Sequence, residues 1–317
     1  MLLSILLLIA GFAILILGAE GLVRGASSLG VLLKVPQIVI GLTVVAFGTS
    51  TPELVVSVFG AVKGAGGIVF GNVIGSNLLN LLLILGITAI VKPVKIRKKS
   101  LKREIPLSLL ATMLLFFMVN DRMFGNDGID LLGRSEGLVL LTLFGIFIGY
   151  THWLSSRGEE AESGHIKTYS VGLSILMVLA GLGALTWGGR MVVDNATLLA
   201  ATLGVSQKVI GLTIVALGTS LPELATCVVA ALKGHSDIAV GNVVGSNIFN
   251  ILLILGLSST VRPAIYDTSF NTELILLYVS TLLLIGLALL KPRYHFTRFK
   301  GWLYLGMYLS YLAWLLG

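Results

Sequence analysis

Cysteine occurs once in the 317 residues, at Cys227, and histidine only four times. A lone thiol excludes an intramolecular disulfide framework and any cysteine-ligated metal cluster, and Cys227 reads as a small packing residue. His152, His165, His235 and His295 lie at the ends of apolar runs or between them, so no His-Glu-x-x-His zinc site forms, and the paired aspartates of an acid protease do not occur within the runs. The glycine-rich GAGG at 64–67 lacks the Gly-Lys-Ser/Thr ending of a phosphate loop. No enzymatic activity and no resident cofactor are expected. Charge is scarce as well: 12% of the residues are Asp, Glu, Lys or Arg and 56% are hydrophobic, where soluble domains carry about 25% charge. With a mean hydropathy of +0.99, such a chain belongs in a bilayer.

The apolar runs have the length of helices that cross about 30 Å of hydrocarbon, roughly 20 residues each. They predict ten spans, at about 2–23, 36–62, 68–91, 104–120, 136–153, 169–193, 207–233, 238–261, 272–290 and 301–316. The first has no basic segment ahead of it and too long an apolar core for a cleaved signal, so it reads as a retained span. With the N-terminus outside, 16 of the 22 Lys and Arg fall in the loops of the inner side, seven of them at Lys92, Lys95, Arg97, Lys98, Lys99, Lys102 and Arg103. The positive-inside rule then places both termini on the extracellular side of a multi-pass cell-membrane protein. That bias accounts for the basic excess as a topogenic signal facing the lipid bilayer, so no nucleic-acid partner is expected.

What the chain does contain is a repeat. Residues 37–86 align with 207–256 without a gap, and 31 of the 50 positions are identical. Five spans separate the two copies, an odd number, so the second enters the membrane from the opposite side. The expected fold is therefore an all-α membrane protein of ten transmembrane helices in two inverted-topology five-helix repeats. These are residues 1–154 and 169–317, joined by a polar inter-repeat loop at 155–168. Inverted repeats of this kind build a midplane binding site that opens to either face.

Each copy carries a carboxylate inside hydrocarbon, in GLTVVAFGTSTPEL (41–54) and GLTIVALGTSLPEL (211–224). A charge at that depth costs at least about 2.5–3.5 kcal/mol on insertion scales, and by default it faces the protein interior and marks an ion path. The helical period puts Ala46, Thr49, Ser50 and Glu53 on one face, and Ala216, Thr219, Ser220 and Glu223 likewise. Pro52 and Pro222 lack the N–H groups that would bond the carbonyls of Gly48 and Gly218, which opens the helix beside each carboxylate. In the next span, GNVIGSNLLN and GNVVGSNIFN place Asn72, Ser76 and Asn80, and Asn242, Ser246 and Asn250, along one stripe. Carboxylate, hydroxyl, amide and carbonyl oxygens are hard ligands suited to calcium and sodium. A channel would also use midplane carboxylates, but a continuous pore does not call for two inverted broken helices.

At these motifs the sequence resembles the sodium/calcium exchanger family of the calcium/cation antiporter superfamily, in its prokaryotic form. The resemblance implies that Glu53 and Glu223 are shared calcium and sodium ligands, joined at the calcium site by the carbonyls of Thr49 and Thr219. It implies flanking sodium sites from Ser50, Ser76 and the Ala46 carbonyl, and from Ser220, Ser246 and the Ala216 carbonyl, with Asn80 and Asn250 lining the middle. The implied function is electrogenic exchange of sodium for calcium, with calcium and sodium ions and the lipid bilayer as partners and no obligatory protein partner, a potassium-dependent sodium/calcium exchanger being one alternative. Some prokaryotic members and the potassium-dependent branch have Asp where this chain has Asn250, so potassium independence is expected. The proton-coupled branch typically has a glutamate in the GN-type motif, absent here, so sodium coupling is favoured over the alternative, a proton/calcium antiporter.

Overall fold

The computed structural model describes residues 2–124, 129–156, 166–204 and 216–316, and these are mostly helical. In chain order the long elements are α1 (Leu2–Leu32), the bent α2 (Gln37–Thr49 and Thr51–Val62), α3 (Gly66–Val91), α4 (Glu104–Val119) and α5 (Arg134–Ser156). There follow α6 (Val171–Thr202), α7 (described over Ala216–Thr219 and Leu221–Leu232), α8 (Ser236–Val261), α9 (Asn271–Leu289) and α10 (Arg298–Leu316). By length and composition six of the described helices can cross a membrane, or seven with the bent α2 as one span. The expected span at 207–233 lies partly outside the described residues.

The apolar runs alternate between two environments. In the most apolar stretch of α8, 94% is buried inside the protein and in α3 78%, whereas α1, α5 and α6 bury 28% each. The two helices that carry the GSN motifs are thus the core of the molecule, and the peripheral helices present leucine, isoleucine and phenylalanine outward, as Leu3, Leu6, Phe12, Leu176 and Leu179 do. α2 breaks at Ser50, whose ψ of 6° leaves the helix, and Pro52 opens the next segment, so its halves meet at 51°. Ser220, with ψ of 6°, and Pro222 repeat that arrangement in α7. Both hairpins that follow turn at a glycine of positive φ, Gly64 at 74° and Gly234 at 84°, a backbone state that costs glycine nothing.

Three features differ from the sequence reading. α1 and α6 run nine residues past their expected ends at 23 and 193, and polar groups that look like span ends are satisfied by protein. In the α6 extension Asn195 Nδ2 donates to Met191 O at 2.8 Å, and in that of α1 the partners come from outside the helix. Ser28 Oγ accepts from Tyr169 N at 2.9 Å and from Ser174 Oγ at 2.8 Å, and Gln37 Nε2 donates to Ser27 O at 3.1 Å. The fold is not purely helical either. β1 (Val94–Lys95) pairs antiparallel with β4 (His295–Phe296), and β2 (Leu131–Leu132) with β3 (Ala264–Ile265), each ladder tying one half of the chain to the other. Lastly, Gly41–Val45, Leu79–Ile84 and Phe249–Leu255 are π-helical stretches inside α2, α3 and α8.

The halves meet through small residues. Gly11, Gly18 and Gly25 of α1 fall at a seven-residue spacing against Gly188, Gly181 and Ser174 of α6, close enough that a Cβ on Gly181 would lie 2.6 Å from Leu22 N. Without a hydrophobic drive between helices in lipid, such backbone approach supplies the packing. Gly241 and Gly245 of α8 meet Gly41, Leu42 and Ala46 of α2 in the same way. Replacing Gly181 by leucine should cost about 1–3 kcal/mol through overpacking. The check is thermal unfolding in detergent, with Gly183→Leu, which meets nothing within 4 Å, as the control that leaves the midpoint near wild type.

Candidate cation site

The break in each bent helix brings a hydroxyl of one half onto the carboxylate of the other. Ser50 Oγ donates to Glu223 Oε1 at 3.0 Å, and Ser220 Oγ donates to Glu53 Oε1 at 3.2 Å, with Ser76 Oγ 3.5 Å from Ser220 Oγ. Both glutamates are 1% exposed. Their second oxygens, Glu53 Oε2 and Glu223 Oε2, have no hydrogen-bond partner among the described residues, and neither do Asn80 Oδ1, Asn250 Oδ1 and Ser246 Oγ. Buried polar atoms are nearly always paired. Five orphaned oxygens, two of them carboxylate, are of the hard-donor kind that a cation such as calcium or sodium takes.

The remaining expected residues are placed as follows. Thr49 is fully buried, and its hydroxyl has Asn242 Oδ1 at 3.1 Å as its nearer acceptor and Ala46 O at 3.4 Å as the alternative. The Ala46 carbonyl accepts from Ser50 N at 3.0 Å, and its second lone pair remains for a further partner. Thr219 is half-buried. Ala216 opens the described part of α7, and the residues before it, 205–215, lie outside the described ones. The expected stripe of Asn72, Ser76 and Asn80 does not serve one purpose. Asn72 Nδ2 holds Glu53 O at 3.1 Å and Ser57 Oγ at 2.9 Å, bracing the broken helix from outside the carboxylate. Asn242 Nδ2 meets Cys227 Sγ at 3.3 Å, because Cys227 stands where the first half has Ser57. Cys227 is buried and free, a packing residue as expected.

Sequence reasoning missed Asn77 and Asn247. Both are buried, and they cross-brace the site asparagines: Asn250 Nδ2 donates to Asn77 Oδ1 at 2.9 Å and Asn80 Nδ2 to Asn247 Oδ1 at 3.1 Å. The signal was present as the asparagine of GSN in both copies, but a stripe drawn at α-helical spacing through the neighbouring serine passes it by, and α3 and α8 turn π-helical just beyond it.

The surroundings of the site are not symmetric. A cleft of about 270 Å³ lies between α2, α6 and α7, lined by Pro52, Val56, Arg190, Asp194, Thr219 and Pro222. On the other face the corresponding surfaces of α1 and α7 are packed together, with Ala19, Val23 and Thr226 fully buried. There Lys233 Nζ reaches Glu20 Oε1 at 2.7 Å, and Arg24 pairs with the same carboxylate. Burial and the neighbouring charges of Lys233 and Lys92 hold the His235 imidazole below its ordinary value, so it stays neutral and leaves this ion pair undisturbed. Sliding the chain by 170 residues places Arg190 at the position of Glu20 and Lys63 at that of Lys233. Two cations cannot make the same bond, and Arg190 lines the cleft instead.

Comparison with known proteins bears on this arrangement. The sequence profile of the family described as sodium/calcium exchanger protein matches residues 3–153 and 173–317. The inner membrane protein YrbG of Escherichia coli is 37% identical, covering 84% of this chain and 82% of its own. The sodium/calcium exchanger MaX1 of Methanosarcina acetivorans is 32% identical over 98% of this chain and 97% of its own. A solved structure of the sodium-calcium exchanger NCX_Mj superposes with a TM-score of 0.82 at 33% identity, covering 98% of both chains.

Proposed function

The chain belongs to the sodium/calcium exchanger family, and on that premise we propose that it is a secondary-active antiporter exchanging sodium for calcium through a central site of Glu53 and Glu223. The observation that carries this reading is the crossed pairing of Ser50 with Glu223 and Ser220 with Glu53 around orphaned oxygens. Two carboxylates match one calcium ion in charge, and the serines, Thr49, Thr219, Asn80, Asn250 and the carbonyls of Ala46 and Ala216 complete the coordination of calcium or sodium in turn. Ten spans in two inverted five-helix repeats, 1–154 and 169–317 joined by 155–168, provide the alternating framework, with both termini extracellular. Six of the described helices, or seven with the bent α2, have the length and composition of membrane spans and overlap expected ones, which is consistent with that layout.

In this reading the cleft beside Thr219 is the ion path on one face, and the packed α1–α7 contact closes the other. The Glu20–Lys233 pair favours the closed arrangement, and because it is part-exposed its contribution is modest. With both glutamates ionised, a site holding three sodium ions carries one net positive charge and a site holding one calcium ion carries none. Exchange then moves charge across the membrane. No step needs potassium or a transported proton, since Asn250 adds no third carboxylate.

Three outcomes test these statements in reconstituted vesicles. Glu53→Gln and Glu223→Gln should each lower calcium affinity at least about a hundredfold, since removing one partner of a buried charge pair costs about 3–5 kcal/mol. Retention of half the sodium-driven uptake in either, at matched expression, removes the site assignment. Uptake into sodium-loaded vesicles should accelerate when the interior is made positive, and should be unchanged when choline replaces external potassium at fixed potential. Indifference to voltage means electroneutral exchange. Neutralising Glu20 or Lys233 to glutamine should shift the apparent KM for calcium by about two- to fivefold, and the double variant should shift it no further than either single one.

A further inference from the structure

Asn77 and Asn247 reach the proposed site only through other side chains, yet they are 0% and 3% exposed. Their own orientation is fixed by groups that cannot turn over. A backbone carbonyl only accepts, so the contacts of Asn77 Nδ2 with Asn247 O at 3.3 Å and of Asn247 Nδ2 with Asn77 O at 3.4 Å decide which end of each amide is nitrogen. The Oδ1 atoms of both are then left to receive Asn250 Nδ2 and Asn80 Nδ2. An amide whose nitrogen is held on one side presents its oxygen on the other, and Asn80 Oδ1 and Asn250 Oδ1 are, with Gln37 Oε1 away from these helices, the amide oxygens buried without a partner among the described residues. The lattice sits where α3 and α8 change from α to π register, at Leu79 and Phe249, and a register change of this kind leaves backbone groups for other partners.

We infer that Asn77 and Asn247 are positioning residues, which relay the direction of two backbone carbonyls to Asn250 and Asn80 and hold those amides oxygen-first toward the transported cation. The inference rests on the reading that Asn80 and Asn250 line the cation site. It has a crossed specificity. Asn77 serves Asn250, and Asn247 serves Asn80. The Asn247 amide is anchored on the main chain of residue 77, so removing the Asn77 side chain releases Asn250 and leaves Asn80 held.

The test is equilibrium binding of calcium to the purified full chain in detergent, alone and in competition with sodium. Asn77→Ala should weaken calcium binding about tenfold, the scale of one oriented hydrogen-bonding ligand. Combined with Asn250→Ala it should weaken binding no more than Asn250→Ala alone, whereas combined with Asn80→Ala the losses should multiply. Asn247→Ala should show the reverse pairing. A merely structural role predicts a lower unfolding temperature with equal multiplication in both combinations, and that result overturns the inference, as does wild-type affinity in Asn77→Ala. If neither alanine variant is recovered folded, Asn77→Ser and Asn247→Ser run the same cycles, and failure of all four assigns the lattice to folding and overturns it too. Glu53→Gln keeps the two readings apart. Loss of binding there with wild-type affinity in Asn77→Ala removes only the positioning role, while retained binding in Glu53→Gln removes the site itself.

Discussion

Two carboxylates withdrawn from water into one low-dielectric interior are the constraint on which the rest of the molecule depends. An isolated buried carboxylate neutralises rather than stays charged unless hydrogen bonds and counter-charge hold it. The chain supplies the hydrogen bonds from the opposite half, Ser50 to Glu223 and Ser220 to Glu53, and in the proposed function the counter-charge comes from the transported cation. For those serines to reach across, each helix has to stop and restart beside its glutamate, which is the work of Ser50 with Pro52 and of Ser220 with Pro222. Broken backbone of this kind survives at membrane depth only when protein surrounds it. Hence the two most deeply buried helices, α3 and α8, are those packed against the breaks.

A site shared in this way makes the halves inseparable, and the fold shows it at every level. Ser50 and Ser220 cross, both β ladders cross, and Gly86 of α3 meets Gly301 of α10 as Gly256 of α8 meets Gly137 of α5. A perfectly symmetric pair would leave both faces equally closed or equally open. Charge breaks the tie. Glu20 has a lysine to bind, while the residues at the corresponding positions of the repeat, Arg190 and Lys63, are both cations, so in the proposed reading one arrangement is favoured without any change to the site between them.

The parts of this design that come from covalent chemistry and from one-dimensional pattern were legible in the sequence. Glu53 and Glu223 stood out because a carboxylate in hydrocarbon is costly, and the breaks because proline has no N–H. The membrane class followed from hydropathy alone. What escaped were features decided by three-dimensional partners. The extension of α1 carries Ser27 and Ser28, bonded to Gln37, Tyr169 and Ser174, and that of α6 carries Asn195, bonded back to Met191 O, stretches that hydropathy reads as loops. The seven-residue glycine spacing of α1 was hidden among leucines that carry a stronger signal. Asn77 and Asn247 were invisible to a 3.6-residue period because the helices change register next to them. Asn72 and Asn242, by contrast, fitted the period and turned out to brace the site from behind.

The asparagine at 250 joins the electrostatic and the hydrogen-bonding arguments. Counted as charge, an aspartate there would give three carboxylates around one desolvated space, and their mutual repulsion would favour uptake of a proton or of a further cation. Counted as hydrogen bonds, an ionised aspartate has no donor, so it would set an oxygen against Asn77 Oδ1 where Asn250 Nδ2 now donates at 2.9 Å. Asn77 cannot turn its amide to meet that oxygen without withdrawing its nitrogen from Asn247 O. The lattice and the charge count therefore demand the same residue. A relative with aspartate at this position has to accommodate both consequences at once, by neutralising the acid and by rebuilding the cross-brace at 77, and the two changes are expected to occur together.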